Sequence, residues 1–451
     1  MKIRICLLFL SVWLVSGCAS NNVSGQLSSY PAAGNTKPAA ISGQLPKGNQ
    51  PALTLDDCVK TAMQNHPALK IYLSRMSQKS ESYNAAQASA LPVLSLSTSY
   101  DRLSYVSPIK KQFLGDSNND YQANVNIEAP LFTGGRITAE KDQAAYALNG
   151  SQEDYRGAEL EVTYRIKSAY YKLLAAQDVV AIRRDLLDRL NSFWATAKEL
   201  NLQTKTPREE VLLRIEVQVN AAQQELISAQ TTVKILKELL VNTMGLPGNN
   251  QAEIQITNLS QPLPDDSIEE GLGLNTQNNP DLLKLDQELK RASSALDAAQ
   301  GDYYPQLKLR GSYGYEWATL PPERDTWSFG LVMTLPLWDW GRIKSKVKQA
   351  ESYLDEISAT KELAGQRISL EAKTAYLDCQ SSRQRAKIAR ESLDKAGKSL
   401  ELFEQRYKDN TATSLDILDA WQSYSLTRLN QAQSVLDIRL SQAALEKLIG
   451  Q

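Results

Sequence analysis

The segment Pro-Leu-Phe-Thr-Gly-Gly-Arg-Ile at residues 130–137 returns at residues 336–343 as Pro-Leu-Trp-Asp-Trp-Gly-Arg-Ile. The two segments lie 206 residues apart, and Tyr170 returns as Tyr376 at the same spacing, each after an alanine. A long stretch without proline follows both segments. Such a repeat indicates that the chain of 451 residues is a duplicated unit of about 200 residues, not two unrelated domains.

Prolines ahead of this segment repeat as well, but at a different spacing. Pro67 returns as Pro280 and Pro92 returns as Pro305, in both cases 213 residues later. The seven-residue difference between the two spacings falls in the loop that joins the alternating segments described next.

Each unit contains two segments in which apolar and polar residues alternate. They are residues 93–100, 121–129, 307–317 and 326–335. In the second of them Tyr121, Val125 and Ile127 alternate with Asn124 and Glu128. A period of two over roughly 9–11 residues is typical of a transmembrane β-strand with a polar lumen on one side. A half-buried soluble sheet has the same period, so periodicity alone leaves both structures open.

Long helices account for most of the remaining chain. We predict helices over 136–200 and 342–405, each on the order of 100 Å long. Return helices are expected over 208–244 and 415–449. Residues at strict seven-residue steps predict a coiled-coil seam along the first long helix: Ile166, Leu173, Val180, Leu187 and Trp194.

Helix ends are marked by capping boxes and by glycine. Boxes are predicted at residues 54–57, 206–209, 267–270 and 413–416. Gly245 and Gly450 are expected to end the return helices, and Asn410 fits a left-handed turn residue before the last box.

The N-terminus has the pattern of an export signal. Lys2 and Arg4 precede an apolar run at 5–15 that is too short to span a bilayer. Val-Ser-Gly-Cys at 15–18 resembles a bacterial lipobox, which predicts a signal peptide at 1–17 and a lipid such as palmitate on Cys18. Ala19 follows the cysteine, where an aspartate would favour retention in the inner membrane. An ordinary cleaved signal is the alternative reading.

The rest of the chain divides into a linker and two repeats. Residues 18–52 are small or polar and contain no carboxylate, so we expect an extended, lipid-anchored linker. The repeats are expected at 53–250 and 251–451. Cys58 and Cys379 are predicted to be buried free thiols.

Composition excludes several classes of function. Fifty Lys and Arg balance 51 Asp and Glu, which gives a net charge of −1 and argues against a nucleic-acid partner. The chain has one histidine, His66, and four cysteines, and we find no phosphate-binding loop or nucleophile elbow. We therefore predict no catalytic residue, no cofactor site and no metal site. His66 is expected to cap a helix or turn.

The predicted export signal favours transmembrane strands over a soluble sheet. Four strands do not close a barrel, and lipid does not tolerate open strand edges. Several copies must then share one barrel, with eight strands in a dimer or twelve in a trimer.

The duplicated order of two strands, long helix and return helix resembles the TolC-type outer-membrane efflux family. The resemblance covers nearly all of 53–451, and its most specific carriers are the segments at 130–136, 336–342 and 407–420. It implies a mixed α/β membrane protein: a homotrimer with a transmembrane β-barrel of four strands per protomer and a long α-helical coiled-coil barrel. It also implies a passive channel in the outer membrane that extends into the periplasm, with a periplasmic adaptor and an inner-membrane transporter of RND or ABC type.

The resemblance further implies a periplasmic gate. Two acidic residues per copy align with Asp416 and Asp419, which lie on one helix face and would form rings in a trimer. Asp416 is also the capping-box residue, and the two roles are compatible. Tyr407 matches a position that helps to hold the entrance shut.

One part of that gate departs from the family pattern. Ala412 stands where the family has a basic residue, and the candidates to replace it are Lys205, Arg208 and Lys408. Glu209 or Glu210 occupies the corresponding site of the first repeat.

Three alternatives to an efflux channel for small molecules remain. The first is the outer-membrane channel of a type I protein secretion system. The second is a lipid-anchored coiled-coil scaffold without a pore, which explains the helices but not the paired strands rich in aromatic residues. The third is a periplasmic enzyme, for which the sequence contains no motif.

Overall fold

The alternating segments form one antiparallel sheet of four strands. These are β1 (Val93–Arg102), β2 (Asn119–Phe132), β3 (Gln306–Trp317) and β4 (Asp325–Thr334). Their order in the sheet is the order in the sequence, so β1 and β4 form its two edges. The predicted strands are confirmed, and each extends within a few residues of the expected bounds.

The computed structural model describes residues 54–108, 111–112, 117–203, 209–246, 276–317, 325–409 and 411–450. These residues belong to one unit, Gln44–Gln451. The predicted signal peptide, Cys18 and the linker lie outside the described residues. The predicted boxes at 206–209 and 267–270 also involve residues outside them, as does Asn410.

Seven α-helices occur in the described part of the chain. They are α1 (Leu55–Asn65), α2 (Pro67–Ala88), α3 (Arg136–Gln203), α4 (Glu209–Thr243), α5 (Pro280–Gly301), α6 (Arg342–Lys408) and α7 (Ser414–Ile449). With 68 and 67 residues, α3 and α6 are each about 100 Å long, as predicted. None of the described helices is both long and apolar enough to cross a membrane.

The repeated segment forms the corner where a strand turns into a long helix. Gly135 and Gly341 occupy equivalent positions at the starts of α3 and α6, both with φ +82°. This left-handed conformation favours glycine. Gly134 precedes the first at φ +62° and is wedged against the backbone of Gly301, whereas its counterpart in the second corner is Trp340 at φ +56°. The repeat therefore reflects a shared backbone path with different packing at its two occurrences.

The ends of each repeat meet in a second shared feature. Gly245, after α4, lies against Asn65 and His66, and Gly450, after α7, lies against Asn278 and Asn279. Both glycines have positive φ, as expected of helix C-termini. His66 and Asn279 are the cap residues that precede α2 and α5.

His66 and Asn279 have the same structural role in the two repeats. His66 Nδ1 accepts a hydrogen bond of 3.1 Å from the N–H of Ala68, and Asn279 Oδ1 accepts one of 2.9 Å from the N–H of Asp281. Each side chain is thus the N-cap of a helix that begins with proline. His66 is also the C-cap residue of α1, so the capping role expected from the sequence is correct.

Two apolar clusters lie along the helices. The first joins α1–α4 through fully buried residues such as Cys58, Ile166 and Leu173. The second joins α3 and α4 to α6 and α7 through Leu190, Ile215 and Ile417, among others. Cys58 and Cys379 are buried free thiols, as predicted.

The predicted heptad seam is fully buried only at its start. Ile166 and Leu173 are fully buried, but Val180, Leu187 and Trp194 are half-buried. Beyond residue 180 the buried positions of α3 are Ile182, Leu186, Leu190 and Phe193. Leu187 and Trp194 nevertheless pack against the second apolar cluster, whose buried members on α3 are Leu186, Leu190 and Phe193, so this part of the seam contacts the cluster while remaining partly exposed.

Candidate channel wall and periplasmic gate

The sheet has one apolar face that is exposed in the single chain. On β4 it carries residues such as Trp327 and Phe329, which are 75% and 69% exposed. On β1 it carries Leu94 and Leu96, whose side chains are exposed to a similar extent. So much exposed apolar area is unusual for a soluble protein and marks a surface that contacts lipid or another chain.

The opposite face of the sheet is polar and charged. Glu128 on β2 binds Lys308 at 2.8 Å and Arg310 at 3.6 Å, both on β3. Ser97 and Asn126 are joined by a hydrogen bond of 2.9 Å nearby. A cavity of about 640 Å³ opens on this face where the sheet meets the start of α3. Polar side chains on one face of a sheet suit the wall of a water-filled lumen.

Aromatic residues mark both ends of the apolar face. Tyr100, Tyr121 and Trp317 lie opposite one another on three neighbouring strands, with ring centroids 4.8 and 5.8 Å apart. At the corner before α6, Trp338 and Trp340 pack edge to face and are strongly exposed. Aromatic rings at two levels are typical of the interfaces of a membrane barrel.

The proposed gate residues lie at the other ends of the long helices. Asp416 completes a capping box at the start of α7, as predicted: its Oδ2 accepts hydrogen bonds from the N–H (2.8 Å) and hydroxyl (2.7 Å) of Thr413. These two hydrogen bonds, with a smaller contribution from the charge of Arg406, lower the pKa of Asp416 below its ordinary 3.8. The side chain is thus both held in place and kept ionised.

Asp419 lies on the exposed side of the same helix, one turn further on. Ile417 and Leu418 between the two carboxylates are buried in the second apolar cluster, so Asp416 and Asp419 point away from it. Asp419 lines a groove of about 530 Å³ between α3, α4 and α7. The two carboxylates thus share one exposed face, as the sequence spacing predicts.

Tyr407 packs against the second apolar cluster and does not share the exposed face of the two carboxylates. Its ring meets Phe193 of α3 edge to face at 5.5 Å, and Phe193 meets Trp421 of α7 at 5.3 Å. Tyr407 therefore connects the last turn of α6 to α3, while the carboxylates face outward.

The structure adds one basic residue that the sequence reading missed. Arg406 contacts the carbonyl of Thr411 at 3.5 Å in the loop between α6 and α7, and its charge acts on Asp416. Of the three candidates named from the sequence, Lys205 and Arg208 lie outside the described residues. Lys408 is exposed at the end of α6. The position of Arg406 immediately before Tyr407 was the only signal in the sequence.

A chain of polar contacts beside the cluster was also missed. Asp185 on α3 binds Arg428 on α7 at 3.0 Å and Arg189 on α3 at 3.4 Å. Arg189 binds Glu404 on α6 at 3.0 Å, and Glu404 accepts a hydrogen bond of 3.1 Å from the indole N–H of Trp421. We call these five residues the inter-repeat network. Only the pair Asp185 and Arg189, four residues apart on one helix, is readable from the sequence.

Comparison with known proteins agrees with this architecture. The family model described as "Outer membrane efflux protein" matches residues 58–246 and 272–451. Outer membrane protein OprJ of Pseudomonas aeruginosa is 23% identical over 82% of this chain and 78% of its own length. The solvent efflux pump outer membrane protein SrpC of Pseudomonas putida is 23% identical over 91% of this chain and 88% of its own length.

Solved structures show the same fold. The crystal structure of the outer membrane protein VceC from Vibrio cholerae superimposes with a TM-score of 0.75 at 18% sequence identity. The superposition covers 88% of this chain and 96% of that one. At this identity the match establishes the fold and leaves the function to the family and to the residues of this chain.

Proposed function

Because this chain belongs to the outer membrane efflux protein family, we propose that three copies assemble into one passive conduit. The family makes the chain an outer-membrane channel for efflux or secretion. In the proposed assembly twelve strands form a barrel in the outer membrane, and the helices α3, α4, α6 and α7 continue it into the periplasm. A periplasmic adaptor and an inner-membrane transporter of RND or ABC type would supply substrate and energy.

The single observation that carries the proposal is the two-faced sheet with open edges. Its apolar face is exposed, its other face carries Glu128, Lys308 and Arg310, and within the described part of the chain β1 and β4 each pair with a strand on one side only. Lipid requires every strand edge to be paired. Several copies that share one barrel satisfy that requirement.

We further propose that Cys18 carries the lipid anchor and that the chain acts without catalysis. The lipobox pattern supports the first statement, and acylation with more than one chain gives durable anchoring. The channel character of the family and the scarcity of histidine and cysteine support the second.

Asp416, Asp419 and Tyr407 are proposed as the periplasmic gate. The six carboxylates of a trimer, three in each of two rings, would favour cations and bind polyvalent cations that block the pore. Their exposure on one face of α7, away from the buried cluster, supports this role. Tyr407 would hold the tip closed through its contact with Phe193.

Small molecules are the proposed substrates. The relative SrpC is named for solvent efflux, which supports this choice. The alternative within the same class is export of a protein by a type I secretion system. Export assays in a strain lacking its own channel, with a small-molecule pump or with a protein secretion pump, would separate the two.

Removal of the lipid anchor tests the channel against a pore-free scaffold. The variant Cys18→Ser should still need detergent for solubility, because the apolar face of the sheet remains. If Cys18→Ser protein is soluble and monodisperse without detergent, the sheet does not span a membrane and the channel proposal fails.

A further inference from the structure

The two edge strands of the sheet are related to its inner strands by the duplication. β4 in the second repeat corresponds to β2 in the first, and β1 corresponds to β3. The chain itself contains the β2–β3 pair, which joins the repeats. The equivalent partner for β4 is therefore β1 of another copy.

We propose that β4 of one copy pairs with β1 of the next in a single register, in which the numbers of facing residues add up to 431. This inference rests on the proposed shared barrel and specifies how its copies join. Leu331 then faces Tyr100 of the next copy, and Val332 faces Ser99 of the next copy.

The first support is that the two hairpins have identical registers. Val93 faces Glu128 in the β1–β2 pair, and Gln306 faces Thr334 in the β3–β4 pair. Gln306 lies 213 residues after Val93, which is the spacing of the first strands, and Thr334 lies 206 residues after Glu128, which is the spacing of the second strands. The second facing pair is therefore the duplicate of the first. The duplication thus holds residue by residue within the strands.

The register between repeats can therefore be transferred to the contact between copies. Within the chain, Val125 faces Tyr313 and Glu128 faces Arg310. Replacing each β2 residue by its β4 counterpart, and each β3 residue by its β1 counterpart, gives two new pairs. Val125 with Tyr313 becomes Leu331 with Tyr100, and Glu128 with Arg310 becomes Thr334 with Ser97.

The faces of the strands provide an independent check. The apolar face of β4 carries odd-numbered residues, including Leu331 and Met333, while that of β1 carries even-numbered residues, including Leu96 and Tyr100. An odd sum such as 431 places apolar side chains beside apolar ones across the joint. A slip by one residue would reverse every side chain, so only slips by two remain as competitors.

The transferred register also predicts the character of the joint. The ion pair of Glu128 with Lys308 inside the chain is replaced by Thr334 and Ser95 between copies. The ion pair is thus present within each copy and absent at this position where copies meet, and Asp101 of β1, which faces Gly330 in this register, is the one charged side chain on the polar face of the joint. The close approach of Gly134 to Gly301 is not transferable, because Trp340 and Ala88 occupy the equivalent positions. The proposal therefore applies to the strands and not to the corner.

Disulfide formation between introduced cysteines measures this register. Val332→Cys would be combined in turn with Ser97→Cys, Ser99→Cys and Asp101→Cys in the full-length protein. Facing residues have Cα atoms about 4.5–5.5 Å apart, within disulfide reach, whereas residues two positions away lie at about 7–8 Å. Ser99→Cys with Val332→Cys should form covalent trimers about ten-fold faster than the other two pairs on a non-reducing gel.

The controls follow from the fold. β1 and β4 lie at opposite edges of the sheet, so a disulfide between them must join two copies. Single-cysteine variants and the parent chain should give no covalent trimers. In the parent chain Cys58 and Cys379 are buried, and burial raises the pKa of the Cys58 thiol to about 12, which suppresses its reaction.

Two results would overturn the register. Fastest cross-linking at position 97 or 101 would show a slip by two residues, and no cross-linking in any pair would show that the edges do not pair. Conductance of the same preparations separates this failure from that of the channel itself. Protein that conducts but cross-links elsewhere refutes only the register, while protein that neither conducts nor cross-links refutes both.

Discussion

At the residue scale, Asp416 and Asp419 differ in what they bind within the chain. Asp416 accepts two hydrogen bonds from Thr413, while Asp419 contributes only to an exposed groove. We expect Asp416→Ala to lower the thermal unfolding midpoint and Asp419→Ala to leave it unchanged, because only the first loses a helix cap. Both should weaken block of the pore by trivalent cations. Equal midpoints for the two variants would contradict the capping role.

The lowered pKa of Asp416 gives this cap a pH dependence. A carboxyl with a lowered folded-state pKa contributes stability above its unfolded pKa of about 4 and loses it as the pH falls through the folded value. The difference in unfolding midpoint between wild type and Asp416→Ala should therefore shrink as the pH falls below about 4. A constant difference over this range would show that the charge of Asp416 is not involved.

His66 should make stability sensitive to mild acid. Partial burial, aided by the charge of Arg165, lowers its pKa below 6.5, and Nδ1 accepts a hydrogen bond only when unprotonated. Because the unfolded chain binds the proton more readily, stability should fall as the pH drops below about 6.5. His66→Asn copies the cap formed by Asn279 and should remove this pH dependence, whereas His66→Ala should cost about 1 kcal/mol at pH 8. Chemical unfolding of the three proteins at pH 5 and pH 8 provides the comparison.

Alanine substitutions at Gly134 and Gly135 distinguish destabilisation by steric conflict from destabilisation by backbone strain. Both have positive φ, but a Cβ on Gly134 would lie 2.5 Å from the Gly301 carbonyl oxygen, while one on Gly135 meets nothing within 4 Å. Gly135→Ala should cost about 1–2 kcal/mol from strain alone, and Gly134→Ala distinctly more. Thermal unfolding in detergent measures both. A similar loss in the two variants would mean that the corner adapts to the side chain.

At the scale of elements, the inter-repeat network links α3 to α6 and α7 beside the proposed gate. Its members are about 30–40% exposed, so the Asp185–Arg428 pair should couple by only roughly 0.5 kcal/mol in a double-mutant cycle with Asp185→Asn and Arg428→Gln. Its larger effect should be on opening, because Asp185→Asn weakens the ion pair that joins α3 to α7. Asp394→Asn, which breaks a surface pair with Lys398, is the matched control. Equal single-channel conductance for Asp185→Asn and Asp394→Asn would remove the network from the gate.

Strands and helices were predictable to different degrees for physical reasons. Alternation gave β1–β4 within a few residues, since the pleat forces a period of two whatever lies beside the sheet. The long helices followed from the absence of proline. The seam along α3 was predicted only in part: Leu187 and Trp194 contact the second apolar cluster but are half-buried, because the buried positions there are Leu186, Leu190 and Phe193. Contacts such as Arg189 with Glu404 join residues far apart in sequence, and no local pattern encodes them.

At the scale of the whole molecule, the duplication predicted equivalent positions in the two repeats but not how the helices pack against one another. It located the equivalent helix starts at Pro67 and Pro280 and the equivalent corners at Gly135 and Gly341, where a shared backbone needs similar residues. It did not reveal that Tyr407 packs inward while Asp416 and Asp419 face out, because that depends on how α7 lies against α3.

Single-channel recording tests the account most directly. Purified full-length protein in a planar lipid bilayer should give stepwise conductance, and Asp416→Asn combined with Asp419→Asn should relieve block by trivalent cations. Asp394→Asn, an exposed carboxylate on α6, should behave as wild type. If pure trimer gives no conductance in any of these forms, the chain does not form a channel by itself, and the central claim is contradicted.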